Sequence, residues 1–589
     1  MSFPILTAAV VLLIVVSLSR LKAQTPQLEV NALFELHKKT MGHSWEWKNE
    51  NRNGLIWDFT LNSNGDFVQD PCLREWQGVT CSRNAQLCSS QMCHITSLNL
   101  RDYGLNGTLP GEIGLLSALQ SLIIQDNNAL IGSIPVEIGT LTALEFLFLT
   151  GNTLSGPIPR EISALQALEL LYLTNNALTG SIPSEIGNLH PLQALVLNEN
   201  ALTGMIPDTI GNLVNVGAID MNSNALTGSL PSTLGNLALA LTNLDLSENI
   251  LTGIIPSEVG NLLSLTSLVL DENALNGSIP SEMGKLTRLD WIDLENNFLS
   301  GTIPTDIGNL VVLEWLSLDI NYLTGSIPSE VGNLAFLDFF DLEMNALTGS
   351  IPSELCTLRA LTTIDLDSNF LNGTIPPEIG KLLALDWLSL DSNSLSGSIP
   401  SDIGNLTALQ HIDMAGSALT GSLPRDIGKL VSLEWLDLLE NALTGTIPKE
   451  VFFLTSLTKL DLSGNSLVGT IPQEMGALVK IEILDLDANA LTGTIPSQVG
   501  ELAAAVWLDF SANALTGSIP RSLKNLSHIQ NVFLQSNSLT GSMDHIFNAA
   551  TQHFLEVLDV SNNLLTGYST DSNLFLLPSL RVLALSGMF

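Results

Sequence analysis

The apolar positions of this chain follow one spacing, repeated. Residues 385–400 read LDWLSLDSNSLSGSIP, or L-x-x-L-x-L-x-x-N-x-L-x-G-x-I-P, and from Ile95 onward the pattern returns about every 24 residues. Leucines two apart, such as Leu388 and Leu390, predict a short strand with both side chains on one side. The Asn that follows is predicted to turn inward, where its amide serves backbone groups that would each cost about 1–3 kcal/mol if left unpaired. This ladder position is read at Tyr103, Asn128, Asn152, Asn176, Asn200 and Asn224, then in steps of 24 from Asn249 to Asn537, with Ser417 in place of one Asn, and finally at Asn563 and Met588. The block G-x-[IL]-P occurs 18 times, from Gly107–Pro110 to Gly517–Pro520. Its Gly permits a sharp bend. Its Pro lacks a donor, which places the block at a sheet edge or in a short second strand.

A period of this length with this leucine spacing is the signature of a leucine-rich repeat. The expected fold is of the α/β class: a right-handed solenoid with a curved parallel sheet on its concave face and strands about 4.8 Å apart. Residues 95–589 form it, as 21 strand units of which the last is incomplete. Such a fold grows in one dimension, so 589 residues need not mean several cores. The pattern frays late: no Pro follows Gly541, and a polar run, YSTDSN, follows Gly567. The chain stops just after a strand, with no second apolar span and no kinase signature. An uncapped solenoid end exposes core. The expectation is either a fragment or an end covered by another chain.

Residues 3–18 are an apolar run too short to span a membrane comfortably. They read as a secretory signal over residues 1–23, with Ser17, Ser19 and Ala23 near possible cleavage points. The region before the run has no Lys or Arg, and Arg20 and Lys22 follow it instead, which keeps an uncleaved anchor as the alternative. Val30, Leu33, Phe34 and His37 lie at helical spacing and predict an amphipathic helix over 28–41. Beyond Trp45, Trp47 and Trp57 stand four cysteines, Cys72, Cys81, Cys88 and Cys93. An even local cluster after a signal reads as two disulfides. Three pairings are possible, and short loops favour Cys72–Cys81 and Cys88–Cys93. The spacings do not match paired C-x2-C zinc ligands. Residues 24–94 are therefore expected to cap the open end of the first repeat.

The core of that segment, Cys72, Trp76, Gly78, Val79 and Cys81, resembles the N-terminal cap of plant-type leucine-rich-repeat receptor-like kinases and receptor-like proteins. It departs by two extra residues between Cys72 and Trp76. The G-x-[IL]-P block marks the same subclass, and the resemblance covers about residues 70–589. It implies an extracellular recognition module, secreted or at the cell surface, that serves signalling or defence alongside a co-receptor. Any kinase would lie beyond this chain, and a membrane would be reached through a C-terminal span or an uncleaved N-terminal signal.

Charge narrows the partners. The formal net charge is −37, from 59 acidic against 22 basic residues. Nucleic acid and anionic lipid are disfavoured, because both need clustered Lys and Arg. Strand periodicity sorts the outward residues into columns. Six residues before the ladder position stand Trp291, Trp315, Phe339, Trp387, Trp435 and Trp507, which include all five tryptophans of the repeats. His411 and Lys459 share the column. Exposed aromatics in one patch mark a binding surface. Four before the ladder position are Asp293, Asp341 and Asp365, among others. Two before it, six successive repeats carry Asp271, Glu295, Asp319, Glu343, Asp367 and Asp391. Charges about 5 Å apart repel by roughly 1 kcal/mol even in water. A partner could recover that cost: a Lys/Arg-rich peptide, a protein, Ca2+ held by carboxylates, or a glycan stacked on Trp. The plainer reading is a solvated acidic face.

Five N-x-[ST] sequons, at Asn106, Asn276, Asn372, Asn405 and Asn525, fit a secreted glycoprotein, four of them in or near turns. Cys356 is expected to be an inert, half-buried thiol. A ladder of similar carboxylates lacks the differentiated environments of acid–base catalysis, so no enzyme, no resident metal and no cofactor are expected. Two rivals remain. One is an inhibitor of wall-degrading enzymes, usually shorter and cysteine-capped at both ends. The other is a structural, adhesive, ion-binding or ice-binding repeat protein, against which the irregular Trp spacing argues.

Overall fold

The structure is a computed structural model that describes residues 25–48, 54–83, 85–89, 91–567 and 573–586. The signal segment and Met588 lie outside the described residues. The fold is a leucine-rich-repeat solenoid, and the chain divides into two compact units, Met1–Asn276 and Gly277–Phe589.

The first unit begins with the helix Gln27–Lys39, whose Val30, Leu33 and Leu36 are buried. Phe34 and His37 join a cluster of rings with Trp45, Trp57, Phe59 and Trp76. Disulfides join Cys72 to Cys81 and Cys88 to Cys93. Helical spacing gave no warning of Glu29, which is buried. Its carboxylate accepts the Ile95 amide at 2.8 Å and contacts His94 Nδ1 at 2.6 Å, tying the helix to the first repeat. The strand Val79–Cys81 pairs antiparallel with the first repeat strand, Ile95–Asn99, and so covers that edge. Parallel strands follow, one per repeat, to Ser267–Val269.

One ladder assignment is corrected. Asn127, not Asn128, is buried here: its Oδ1 accepts the amides of Tyr103 and Leu105, and its Nδ2 donates to Leu100 and Gln125 oxygens. The extra residue, Asn128, is pushed out to solvent.

In the second unit the main strands run from Trp291–Asp293 to Val582–Ala584, parallel and in register. From Trp291 to Asn531 a constant 24-residue period makes each residue pair with its equivalent, so a sequence column becomes a column in space. A second set of short strands, such as Tyr322–Gly325 and Ala346–Gly349, follows most ladder residues. Gly349 closes its strand at φ +80°, which a Cβ would disfavour. The block's prolines stand outside these strands. Pro328, at φ −69°, leads into the 3-10 helix Ser329–Asn333, where its fixed φ suits the turn. No described helix is long and apolar enough to cross a membrane.

The ladder Asn works as expected. Asn345 Nδ2 donates to Leu318, Leu342 and Glu343 oxygens at 3.0–3.2 Å, while its Oδ1 accepts the Leu323 amide at 2.9 Å. Replacing Asn345 with Ala is expected to cost about 1–3 kcal/mol for each group left unpaired, read as a lowered melting temperature. Ser417 is a natural lesion in this ladder. Its hydroxyl is buried without a hydrogen-bond partner, and the strand that follows is cut to Ala418–Leu419. Second-strand pairing then thins to the isolated bridges Ser422–Thr444 and Thr446–Val468. We expect Ser417→Asn to raise stability by about 1 kcal/mol in a denaturant titration.

Candidate functional site

The strands of the second unit hold a row of rings above buried apolar residues. In each strand the middle residue faces the core (Ile292, Leu316, Phe340 and Leu388 are fully buried) and its two neighbours face away. Register therefore sets Trp291 beside Trp315 and Trp315 beside Phe339. The rings stack face to face, at centroid distances of 4.3 Å and 3.6 Å and interplanar angles of 5° and 3°. Thr363 interrupts the row. A second stack runs from Trp387 to His411 at 3.6 Å and on to Trp435 at 5.4 Å. Lys459 ends it, with Nζ 4.1 Å from the Trp435 ring centre and 2.6 Å from Asp437 Oδ2. Trp507 stands apart, against Phe533.

Stacking leaves the aromatic patch only partly exposed. Trp291 and Trp387 are 37% and 40% exposed, while Trp315, Phe339, Trp435 and Trp507 are half-buried. Each ring shields its neighbour's face, because strands about 4.8 Å apart bring rings of one column close to stacking distance. Burial and the Lys459 ammonium push His411 down to about 4, so its ring is neutral and stacks as one more flat surface.

Beside the rings runs the acidic ladder, most of it half-buried. Asp319 is buried, and Asp293, Glu295, Asp341, Glu343, Asp365, Asp367 and Asp391 are half-buried. Asp271 belongs to the first unit, where it is half-buried just past the strand Ser267–Val269. Burial, with Asp319 and Asp365 nearby, pushes Asp341 up to about 8. Burial and the neighbouring Asp391 push Asp367 up to about 9, and one Asp367 oxygen is buried without a hydrogen-bond partner. Burial likewise raises Asp319, Glu343 and Asp365. Farther along the column, burial brings Asp413 to about 6 and Asp485 to about 7. Some hydrogen bonds oppose this rise. The Ser317 hydroxyl donates to Asp319, and Trp387 Nε1 donates to Asp365 Oδ2 at 3.3 Å, which joins the ring column to the ladder. Asp341, Glu343 and Asp365 each offer an oxygen within 4.8 Å of the others. At neutral pH the face therefore holds protons that the bare sequence count does not reveal.

The remaining positions fall elsewhere. All five sequon asparagines are exposed. Asn106, Asn276 and Asn372 lie on short second strands rather than in turns, and Asn405 and Asn525 end 3-10 helices. Cys356 is wholly buried rather than half-buried, and burial pushes its thiol up to about 12, which leaves it inert.

Residues 292–417 match the model of a leucine-rich repeat region, and residues 240–299, 432–491 and 167–189 match leucine-rich repeat models. No protein of curated function matches the sequence. Among solved structures, the chain is similar to the ectodomain of the plant membrane receptor kinase GASSHO1/SCHENGEN3 from Arabidopsis thaliana in complex with Casparian strip integrity factor 2. Identity is 35% and the TM-score 0.73, over 91% of this chain and 65% of that one. It therefore spans just under two thirds of that relative's length. It is also similar to the ectodomain of the Arabidopsis receptor kinase HAESA in complex with an N-terminally extended IDA peptide hormone, with 31% identity, TM-score 0.76, and 88% and 85% coverage. HAESA in complex with IDA and the co-receptor SERK1 matches at 29% identity and TM-score 0.78, over 96% of this chain and 90% of that one.

Proposed function

The chain belongs to the family of plant-type leucine-rich-repeat receptor ectodomains, and from that premise we propose that it is an extracellular module that binds a basic, extended peptide on the strand face of its second unit. One observation carries this reading. Carboxylates stand in successive repeats, crowded and half-buried beside stacked rings, with Asp341 and Asp367 pushed up to about 8 and about 9. A bound cation would favour the ionised form of these carboxyls over the protonated one, and an Arg or Lys side chain would both pair with the carboxylates and lie against indole. An extended peptide matches the repeat geometry, meeting one strand about every 4.8 Å.

The other ligands suit the face less well. A sugar stacks on a free ring face, and within each stack the inner faces are taken by neighbouring rings. Calcium takes six to eight oxygens, against the three carboxylates of Asp341, Glu343 and Asp365. A co-receptor is the second proposed partner, supported by the complex of HAESA with SERK1. Secretion and use of the exposed sequons belong to the same reading.

Selection of a displayed library of random short peptides on the folded chain tests it. Captured peptides should be rich in Arg or Lys, and capture should weaken as salt rises. Capture of neutral or acidic peptides, or none at all, would reject the reading.

A further inference from the structure

Among the described residues, the one just before each ladder position adopts a left-handed backbone, and the chain fills that position with small or polar residues such as Asn296, Ser368, Ser392 and Glu440. Two successive repeats break the rule. Ile320 sits there at φ +49° and Met344 at φ +50°. Left-handed geometry costs an L-residue about 1–2 kcal/mol, and a β-branched side chain there is an outlier. Both side chains also face solvent, Ile320 at 38% and Met344 at 51% exposure. Strain and exposed apolar surface at one spot are two separate costs without a return in the folded chain alone.

The surroundings extend the patch. The residue after the ladder Asn is Phe298, Tyr322 and Phe370 in nearby repeats, each more than half exposed. The rings of Phe298 and Tyr322 lie near parallel at 6.1 Å. These five exposed apolar residues all flank the ladder Asn in the repeats from Asn297 to Asn369, an apolar ridge. Ile320 directly follows Asp319, and Met344 directly follows Glu343, so whatever rests on the ridge also meets the acidic ladder. A second copy of the chain fits poorly, because at −37 it would bring acid against acid.

We infer that the ridge receives a bulky apolar side chain of the same basic peptide, placed at a fixed offset from the Arg or Lys that enters the ladder. This rests on the proposed peptide-binding function and adds a second specificity element to it. The ligand class is then a peptide carrying both a cation and a large aliphatic or aromatic residue.

The test repeats the library selection on the wild-type chain and on the double variant Ile320→Asn, Met344→Asn. Asn tolerates the left-handed geometry, so the variant should melt at the same temperature or higher. Wild-type selections should be enriched in basic residues and, at a constant offset, in a bulky apolar residue. Variant selections should keep the first enrichment and lose the second. A peptide selected on wild type should bind the variant about tenfold more weakly, as loss of one buried apolar side chain requires. An apolar preference that is absent from the wild type, or that survives in the folded variant, overturns the inference and leaves the peptide reading in place. Absence of basic enrichment on both chains overturns the two together. Tyr322→Ser, which leaves the left-handed positions untouched, should weaken the same peptide, and unchanged affinity there also counts against the ridge.

Discussion

Replacing Trp291, Trp315 and Trp387 together with Ala is expected to weaken peptide binding at least about 100-fold while the chain still melts cooperatively. Loss of one aromatic anchor at an interface typically costs about 2 kcal/mol or more, and three act here on one ligand. The fold survives because the strands hang on other residues. Ile292, Leu316 and Leu388 lie fully buried beneath the rings, and the Asn ladder ties successive turns together. Each lost stack costs about 0.5–1.5 kcal/mol, enough to lower the melting temperature modestly without unfolding a long solenoid. Calorimetric titration with a selected basic peptide and a thermal melt on the same sample read the two effects. Affinity within a fewfold of wild type in a folded triple variant would end the case for the ring column.

The second large effect is a pair of opposed pH dependences. Asp341 and Asp367 are raised to about 8 and about 9 by burial and by one another's acidic neighbours. In the unfolded chain each titrates near 3.9. Between those values the folded state holds protons that the unfolded state has released, so stability falls as pH rises. Their contribution is fully present below about 4 and is lost as pH climbs through 8 to 9. Binding runs the other way. A guanidinium or ammonium prefers the ionised ladder, so affinity should rise from pH 6 to pH 8 with proton release on binding. Replacing both Asp341 and Asp367 with Asn should flatten the pH dependence of the melting temperature and raise it at pH 8. It should also remove most of the pH dependence of binding. Melting temperatures that fall in parallel for wild type and variant, from pH 5 to pH 9, would place the slope in other groups.

Much of this was legible in the chain because a constant period does the work of a structure. With a step of 24 residues, equal positions must pair, and the set Trp291, Trp315, Phe339, Trp387 and Trp435 follows from counting. The ladder role of Asn is just as readable, since a side-chain amide is the group that can serve several backbone partners at once. Counting failed where one residue was inserted: Asn127 and Asn128 read alike, and only burial separates them. The ridge carried a signal that went unread. Ile320 and Met344 are the large apolar residues in a column of small and polar ones, but the column matters only once its left-handed backbone is known.

By itself, then, the sequence determined the repeat, the inward leucines, the capped N-terminal end and the membership of each outward column, because all of these follow from periodicity and residue chemistry. Tertiary structure alone decided how those columns behave. Whether indoles face solvent or one another depends on strand spacing, as the 3.6 Å between Trp315 and Phe339 shows. Whether a carboxylate is charged depends on its burial and its neighbours across strands, and at Asp341 those belong to other repeats. Charge state and exposure are properties of an environment, and only the folded chain supplies one.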